Sequence, residues 1–268
     1  MKVKLLSDLH LEFQDEGEFL PGEGDVLILA GDICTASDLG RKGKLSKRYK
    51  KFFNRCVESY NKIFYVLGNH EHYNFIFDKT EDVIRENIPE GITLLQDQSE
   101  FYNGWHFVGS TMWAGFEDAN IVSMSECQSG MNDYRCVHIN KNNQFTQLTP
   151  IHTLQAHIES VKWFNQCLPT LNGPVFMITH HAPSYRSFDG YREEGVMGAY
   201  ATPMESFIEK HPSIKFWGHG HIHSTSNYMI GNCNVVSNPR GYFKYETNIA
   251  FDEEMSLDLE SPQRQRVT

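Results

Sequence analysis

Five short polar clusters each close an apolar run, and together they hold most of the metal-binding residue types in this chain. They are Asp8-Leu9-His10, Gly31-Asp32, Gly68-Asn69-His70-Glu71, Thr179-His180-His181 and Gly218-His219-Gly220-His221. The runs before them, residues 3–6, 26–30, 63–67, 175–178 and 214–217, are short and apolar, which reads as strands. Strands that stop at polar tips along one edge of a sheet bring distant residues into one cleft. That cleft would hold three or four imidazoles, two carboxylates and an amide, enough donors for two metal ions.

At 268 residues the chain fits one large domain or at most two small ones. It has no internal repeat and no low-complexity linker, so the expectation is a single domain over residues 1–252 with a polar tail over 253–268. A composition 40% apolar and 22% charged is ordinary for a soluble globular protein. No apolar run approaches the roughly 20 residues that span a bilayer, and the first strand begins at residue 1 or 2, leaving no room for a signal peptide. A cytoplasmic protein with no membrane partner is expected. The six cysteines are scattered, form no CxxC pair and read as buried reduced thiols.

The net charge of −10 works against a protein whose main task is gripping a nucleic-acid backbone. Residues 41–51 run against this balance, with Arg41, Lys42, Lys44, Lys47, Arg48, Lys50 and Lys51. Either they form the solvated face of a helix that continues through Phe52, Phe53, Cys56 and Val57, or they guide an anionic substrate toward the site.

Strand and helix patterns alternate over the first 100 residues, which favours a layered α/β fold. Strands are expected at 2–6, 25–33, 62–67, 92–96 and 105–112, with helices through the basic segment and at 79–87. Residues 117–149 form a long polar stretch with little periodicity, expected as an irregular insertion acting as a lid over the cleft. Thr149-Pro150 opens a helix, and Ile151, Leu154, Ile158, Val161 and Leu168 keep its spacing. Thr202-Pro203-Met204-Glu205 carries a capping-box signature. Gly231-Asn232 breaks a hairpin over 228–236. An edge strand is expected at 249–251, and the chain beyond it is expected to fray.

In this order, Asp-x-His, Gly-Asp, Gly-Asn-His-Glu, a mid-chain His and Gly-His-x-His resemble the motif set of the calcineurin-like metallophosphoesterases, in their phosphodiesterase-like branch. The match spans residues 8–221. The resemblance implies an α/β fold: a four-layer α-β-β-α sandwich of two packed mixed sheets flanked by helices. It also implies that Asp8, His10 and His221 hold a first divalent ion, that Asn69, His180 and His219 hold a second, and that Asp32 bridges the two. Carboxylate, imidazole and amide donors suit manganese, the favoured ion, and accept Fe, Zn, Ni or Co. Two such ions, roughly 3.5–4 Å apart, acidify a bridging water and clamp a phosphoryl oxygen during in-line attack. His70 is implied to face the substrate, stabilising charge or protonating the leaving oxygen. Glu71 reads as an orienter of its neighbours or a surface residue, and His181, on the opposite side of an extended segment, as packing.

Two departures bear on the substrate. Gly31-Asp32 runs into Ile-Cys-Thr-Ala, where the protein Ser/Thr phosphatases continue Val-Asp-Arg-Gly, so their phosphate-gripping Arg is missing; the Gly that follows Asp-x-His there is missing too. Both point to phosphodiesters, nucleotide-derived or other small organophosphates. Arg240, in Asn238-Pro239-Arg240-Gly241, reads as a bidentate phosphate contact or a solvated turn residue. Tyr134 and Arg135 read as lid contacts to substrate or as part of a packed loop. The alternatives are a phosphomonoesterase or protein phosphatase, a nuclease, and a non-catalytic scaffold, the last opposed by the intact ligand set and His70. His72, His106, His138, His152, His157, His211 and His223 read as structural or exposed, with His223, two residues past an expected ligand, the one to check.

Overall fold

The apolar runs form strands, and the strands form two sheets, in a computed structural model that describes residues 1–14, 19, 21–141, 144–188 and 195–260. In the first sheet β1 (Lys2–Leu6), β2 (Gly24–Ala30), β3 (Tyr60–Val66) and β4 (Ile92–Leu94) run parallel, and β15 (Ser256–Asp258) lies antiparallel outside β1. The second sheet has the order β11-β12-β10-β9-β6-β5, built from β5 (Gln98–Tyr102), β6 (Trp105–Ser110), β9 (Val175–Thr179), β10 (Ile214–His219), β11 (Ser226–Ile230) and β12 (Cys233–Ser237). Its central strands β6, β9, β10 and β12 are parallel, and antiparallel hairpins close both edges.

Both sheets are covered on both faces, which explains why their strands read as unbroken apolar runs rather than alternating ones. Between the sheets, Val3, Leu5, Val26, Ile28 and Phe64 meet Phe107, Phe176, Ile178 and Val236, with Phe64 and Phe107 stacked at 4.2 Å. On the outer face of the first sheet, α2 (Lys44–Ser59) buries Tyr49, Phe52, Phe53 and Cys56, and α3 (Thr80–Asn87) buries Ile84. The short α1 (Ala36–Leu39) leads into α2. On the outer face of the second sheet, α7 (Pro150–Cys167) and α8 (Glu205–Lys210) contribute Phe164 and Ile208. This is the expected four-layer α-β-β-α arrangement. No helix among the described residues is long and apolar enough to cross a membrane.

Residues 117–149 depart from the expectation of an irregular stretch. They hold α4 (Phe116–Ala119), α5 (Ile121–Gly130), α6 (Asp133–Cys136) and a hairpin of β7 (His138–Lys141) with β8 (Gln144–Gln147). Phe116, Cys127, Met131, Tyr134, Val137, Ile139 and Leu148 form a separate small core. One or two buried residues per short element leave no periodicity to read, so the order comes from packing rather than pattern. α4 is a single turn wound left-handed, with positive φ from Phe116 to Ala119, and Asn120 caps α5 through the N–H groups of Val122 and Ser123.

Three smaller expectations fail. Thr202 does not cap α8; its hydroxyl accepts from Gly115 N–H at 2.8 Å, and the helix starts at Glu205 with Met204 as an N-cap that makes no side-chain bond. Residues 249–251 form no strand, because the edge beside β1 is taken by β15. That pairing also orders chain expected to fray, with Leu259 buried and its N–H bonded to Met1 O at 2.9 Å. Residues 261–268 of the expected tail lie outside the described residues. A final small hairpin, β13 (Gly241–Tyr242) with β14 (Glu246–Thr247), sits over the open ends of the strands.

Candidate metal centre

The parallel strands of both sheets end on one edge, where their loops fold over one another. The loops after β1 and β2 are laced by backbone bonds from Asp8 N–H to Gly31 O (3.0 Å), His10 to Asp32 (2.9 Å) and Leu11 to Ile33 (3.2 Å). Asp8, His10, Asp32 and His221 all take positive φ, at 52°, 43°, 56° and 67°, a region non-glycine residues enter at a cost and that clusters at functional sites. Glycine is required where the loops press closest: a Cβ on Gly68 would lie 2.1 Å from Asp32 Oδ1, and one on Gly31, at φ +87°, would lie 2.3 Å from His180 Nδ1.

These turns bring together two donor clusters. The first is Asp8, His10 and His223; the second is Asp32, His180 and His221; Glu12 and His70 form a further group with His10 of the first. His223 Nε2 lies 3.4 Å from Asp8 Oδ1 and 3.2 Å from His10 Nε2, which is itself 3.7 Å from Asp32 Oδ2. On the other side of Asp32, His180 Nε2 lies 3.4 Å from its Oδ1 and 2.9 Å from Asn69 Oδ1. Donors placed about 2.0–2.2 Å from one ion stand roughly 3–3.4 Å from each other, so these separations match the edges of coordination polyhedra. The buried Nε2 of His221 has no hydrogen-bond partner, a cost that a cation would remove. The donor set fits two divalent ions.

The far side of the ring is fixed in three of the histidines. His180 Nδ1–H donates to Ala30 O at 2.8 Å, His10 Nδ1 faces Glu12 Oε1 at 3.3 Å, and His223 Nδ1 faces Glu246 Oε2 at 3.4 Å. Such partners hold the tautomer that aims the Nε2 lone pair at a metal. Burial opposes protonation of His180 and His223, yet Asp32 lifts the first to about 9, and Asp8 with Glu246 lifts the second to about 10. The negative field responsible is the one that would hold cations. Burial likewise opposes the charge on Glu12, and hydrogen bonds from His10 and His70 override it, holding the carboxyl down at about 2.

His219 is not part of either cluster. It is the last residue of β10; its Nδ1–H donates to Gly220 O (2.9 Å) and its Nε2 accepts from Ser187 Oγ (2.8 Å), so both nitrogens are engaged. Burial lowers it to about 4, leaving the ring neutral. The sequence contains two overlapping Gly-His-x-His frames; the donor clusters include both histidines of Gly220-His221-Ile222-His223 but only His221 of Gly218-His219-Gly220-His221. His221 consequently stands with Asp32 and His180 rather than with Asp8 and His10, and His223 takes the place expected of it.

Glu71 is the buried orienter among the two readings given for it. It accepts from the N–H groups of Asp32 (3.0 Å), Ile33 (2.8 Å) and Gly68 (2.7 Å) and from the Tyr65 hydroxyl (2.6 Å), locking the ends of β2 and β3 together. Burial, then the charge of Asp32, pushes its carboxyl up to about 7. His181 packs beside Trp113 and His221, with ring centroids 5.1 and 4.3 Å away.

His70 lies beside the clusters and is enclosed. Its Nδ1 meets Glu12 Oε1 at 2.9 Å, its Nε2 meets the Tyr242 hydroxyl at 3.1 Å, and Tyr73 stacks on its face at 4.0 Å. Sequence reasoning missed Glu12 and Tyr242. The Asp-Leu-His-Leu-Glu spacing was the signal available for Glu12, and nothing local marks Tyr242.

A cleft of about 490 Å³ opens beside Asp32, Asn69, His221 and His223, walled by Met131, Phe188, Val196, Met197, Tyr200 and Tyr242. No Lys or Arg is among its described lining residues, and Glu246 stands at its edge. Met131 and Asn132 come from the 117–149 insertion, which therefore forms one wall. Tyr134 and Arg135 do not reach it. Tyr134 is buried with its hydroxyl on Thr153 Oγ1 (3.1 Å), and Arg135 is exposed with its guanidinium on Ser129 O and Asn132 Oδ1. Arg240 turns away as well, bonding Gln14 Oε1 at 3.1 Å and lying over the rings of Phe19 and Phe243.

Residues 1–225 match the family model of the calcineurin-like phosphoesterases. An uncharacterized protein of Acanthamoeba polyphaga mimivirus is 28% identical over 279 residues, covering 92% of this chain and 93% of that one. The crystal structure of a phosphopantetheinyl hydrolase from Mycobacterium tuberculosis superposes with a TM-score of 0.64 at 14% identity, covering 90% and 89% of the two chains. At that identity the likeness is one of fold.

Proposed function

The chain belongs to the calcineurin-like phosphoesterase family, and from that premise we propose that it hydrolyses phosphodiesters of small organic groups with two divalent ions, manganese favoured. Asp8, His10 and His223 would hold one ion, Asn69, His180 and His221 the other, and Asp32 would serve both. Two such ions supply a lowered pKa for bound water and a positive field for phosphoryl oxygens. The chain's own contribution is positioning: Glu71 fixes the backbone that carries Asp32, Glu12 and Glu246 orient His10 and His223, and Glu12 also holds His70 beside the site.

The observation that carries the reading is the pair of donor clusters meeting at Asp32 on the floor of one cleft. The diester preference is supported by the cleft's walls. A diester brings one negative charge and two organic groups, and Met131, Phe188, Val196, Met197, Tyr200 and Tyr242 offer those groups apolar and aromatic contacts beside the polar floor. A nucleic-acid strand is the second reading, favoured by one feature: Lys44, Arg48 and Lys244 line a groove that meets the site at Glu12.

The test is hydrolysis of bis-p-nitrophenyl phosphate beside p-nitrophenyl phosphate and a short single-stranded oligonucleotide, with chelator-stripped protein reloaded with manganese. Diester cleavage that dominates, vanishes on stripping and returns with metal is the expected result. Dominant monoester cleavage overturns the diester preference, and preferred oligonucleotide cleavage promotes the second reading.

A further inference from the structure

His70 has no open side. Tyr73 covers one face of the ring, His10 meets it edge-on at 4.3 Å, Glu12 caps Nδ1 and the Tyr242 hydroxyl caps Nε2. The residue is 4% exposed and does not line the cleft, whereas Tyr242 is half-buried and does. The phenol oxygen of Tyr242 therefore stands between the imidazole and whatever occupies the cleft. We propose that the Tyr242 hydroxyl is the group that touches the leaving oxygen of the substrate by a hydrogen bond, with His70 and Glu12 behind it as positioning residues. The proposal rests on the phosphoesterase reading for the identity of that oxygen.

The segment holding Tyr242 is built for placement. Arg240 N–H bonds Ser7 O and Gly241 N–H bonds Asp8 O, each at 3.1 Å, so the backbone before Tyr242 is pinned to the end of β1 beside Asp8. Gly241 sits at φ +79°, and a Cβ there would lie 2.3 Å from Glu246 O, which closes the tight hairpin to every other residue. The Tyr242 ring then packs against His10 at 4.3 Å and His223 at 4.7 Å, directly over the first donor cluster. This gives the Asn238-Pro239-Arg240-Gly241 segment a role through its backbone and the residue that follows it, with the Arg240 guanidinium turned elsewhere. With Nδ1–H given to Glu12, a His70 ring that also carries Nε2–H donates it to the Tyr242 oxygen, and the phenol's single O–H is then left to donate into the cleft.

Tyr242→Phe removes the hydroxyl and leaves the ring packing. The manganese-loaded variant is expected to keep two ions per chain by elemental analysis. With ethyl phenyl phosphate its kcat should fall about 100-fold, the scale of one lost donor to developing charge, with KM rising by no more than the roughly fivefold of one ground-state hydrogen bond. With ethyl p-nitrophenyl phosphate, whose leaving group is stable as an anion, the fall should be under about tenfold. Equal losses on the two esters, or none, overturn the leaving-oxygen contact. Calorimetry with a slowly hydrolysed phosphorothioate diester reads the same contact without turnover: the variant should bind about fivefold more weakly, the worth of one neutral hydrogen bond, and equal affinities overturn the proposal. Wild-type protein that binds the analogue with this difference yet cleaves neither ester sinks the hydrolase reading and leaves the contact standing.

Discussion

Replacing His223 and His219 separately by alanine decides which frame of the repeated Gly-His motif holds metal. His223 Nε2 sits 3.2 Å from His10 Nε2 and 3.4 Å from Asp8 Oδ1, while both nitrogens of His219 are taken by Ser187 and Gly220. Loss of groups that merely orient a ligand weakens metal binding by about 10–100-fold, so loss of a direct ligand should cost at least about 100-fold, or about 2.7 kcal/mol. In excess metal that amount appears as lost stability, because the ion binds only the folded chain. With an unfolding entropy of about 2.1 cal/mol/K per residue over 268 residues, the slope is about 0.56 kcal/mol/K, and the shift about 5 °C. His223→Ala should therefore lose about 5 °C of the metal-dependent rise in Tm and carry one tight manganese per chain. His219→Ala strips a buried partner from Ser187 and should cost about 1–3 kcal/mol with or without metal, keeping both ions. Thermal melts with and without manganese, paired with elemental analysis, give the answer. One ion in His219→Ala with two in His223→Ala refutes the assignment.

Two further outcomes follow from groups outside the donor clusters. Burial lowers His72 to about 3, so its ring stays neutral in the fold while the unfolded residue protonates near about 6.5. The stability it secures is whole above that pH and drains as pH falls toward 3; between pH 7.5 and 5 the drain is about 2 kcal/mol, and His72→Phe should remove that part of the acid sensitivity in urea melts at the two pH values. Arg240→Ala should lower Tm by removing stacking on Phe19 and Phe243 while leaving KM within about twofold, and Arg135→Ala, on an exposed side chain, should change neither by more than about 0.5 kcal/mol. A KM that rises tenfold in either variant would restore it as a substrate contact.

The strands and the loops that carry Asp8, His10, Asp32, Asn69 and His180 were legible because a buried parallel strand is a local signal. An apolar run ending in Gly or Asp records both its burial and its exit toward the sheet edge. The histidine frame was not legible for a physical reason. Residues 219, 221 and 223 alternate, and an apolar run that stops at Trp217 makes Gly218 look like the exit. β10 instead continues through His219, and the chain leaves the sheet at Gly220. Glu12 and Tyr242 are non-local: His70 and Tyr242 are 172 positions apart, and a hairpin with two residues per strand writes no pattern. The insertion's order was hidden for a similar reason, since its core residues come singly from short elements.

The proposed diester preference also has an electrostatic side that can be tested. Asp8, Asp32, Glu12 and Glu246 bring four negative charges, three of them within the buried loops, and two divalent ions would bring four positive ones. The loaded site is then close to neutral, so a diester's single charge enters without strong repulsion, while a monoester's second charge gains little. Glu246 is the carboxylate at the cleft edge, 3.4 Å from His223 and about two-thirds exposed at 66%. Glu246→Gln keeps an acceptor for His223 and removes one charge. At about 8 Å and an effective dielectric near 20, that charge is worth about 2 kcal/mol against each added substrate charge, and screening at an exposed edge halves it. The ratio of monoester to diester kcat/KM should rise about fivefold in Glu246→Gln at low salt and shrink toward wild type at 0.5 M salt. An unchanged ratio at low salt would refute the charge argument and leave the proposed preference resting on the walls of the cleft alone.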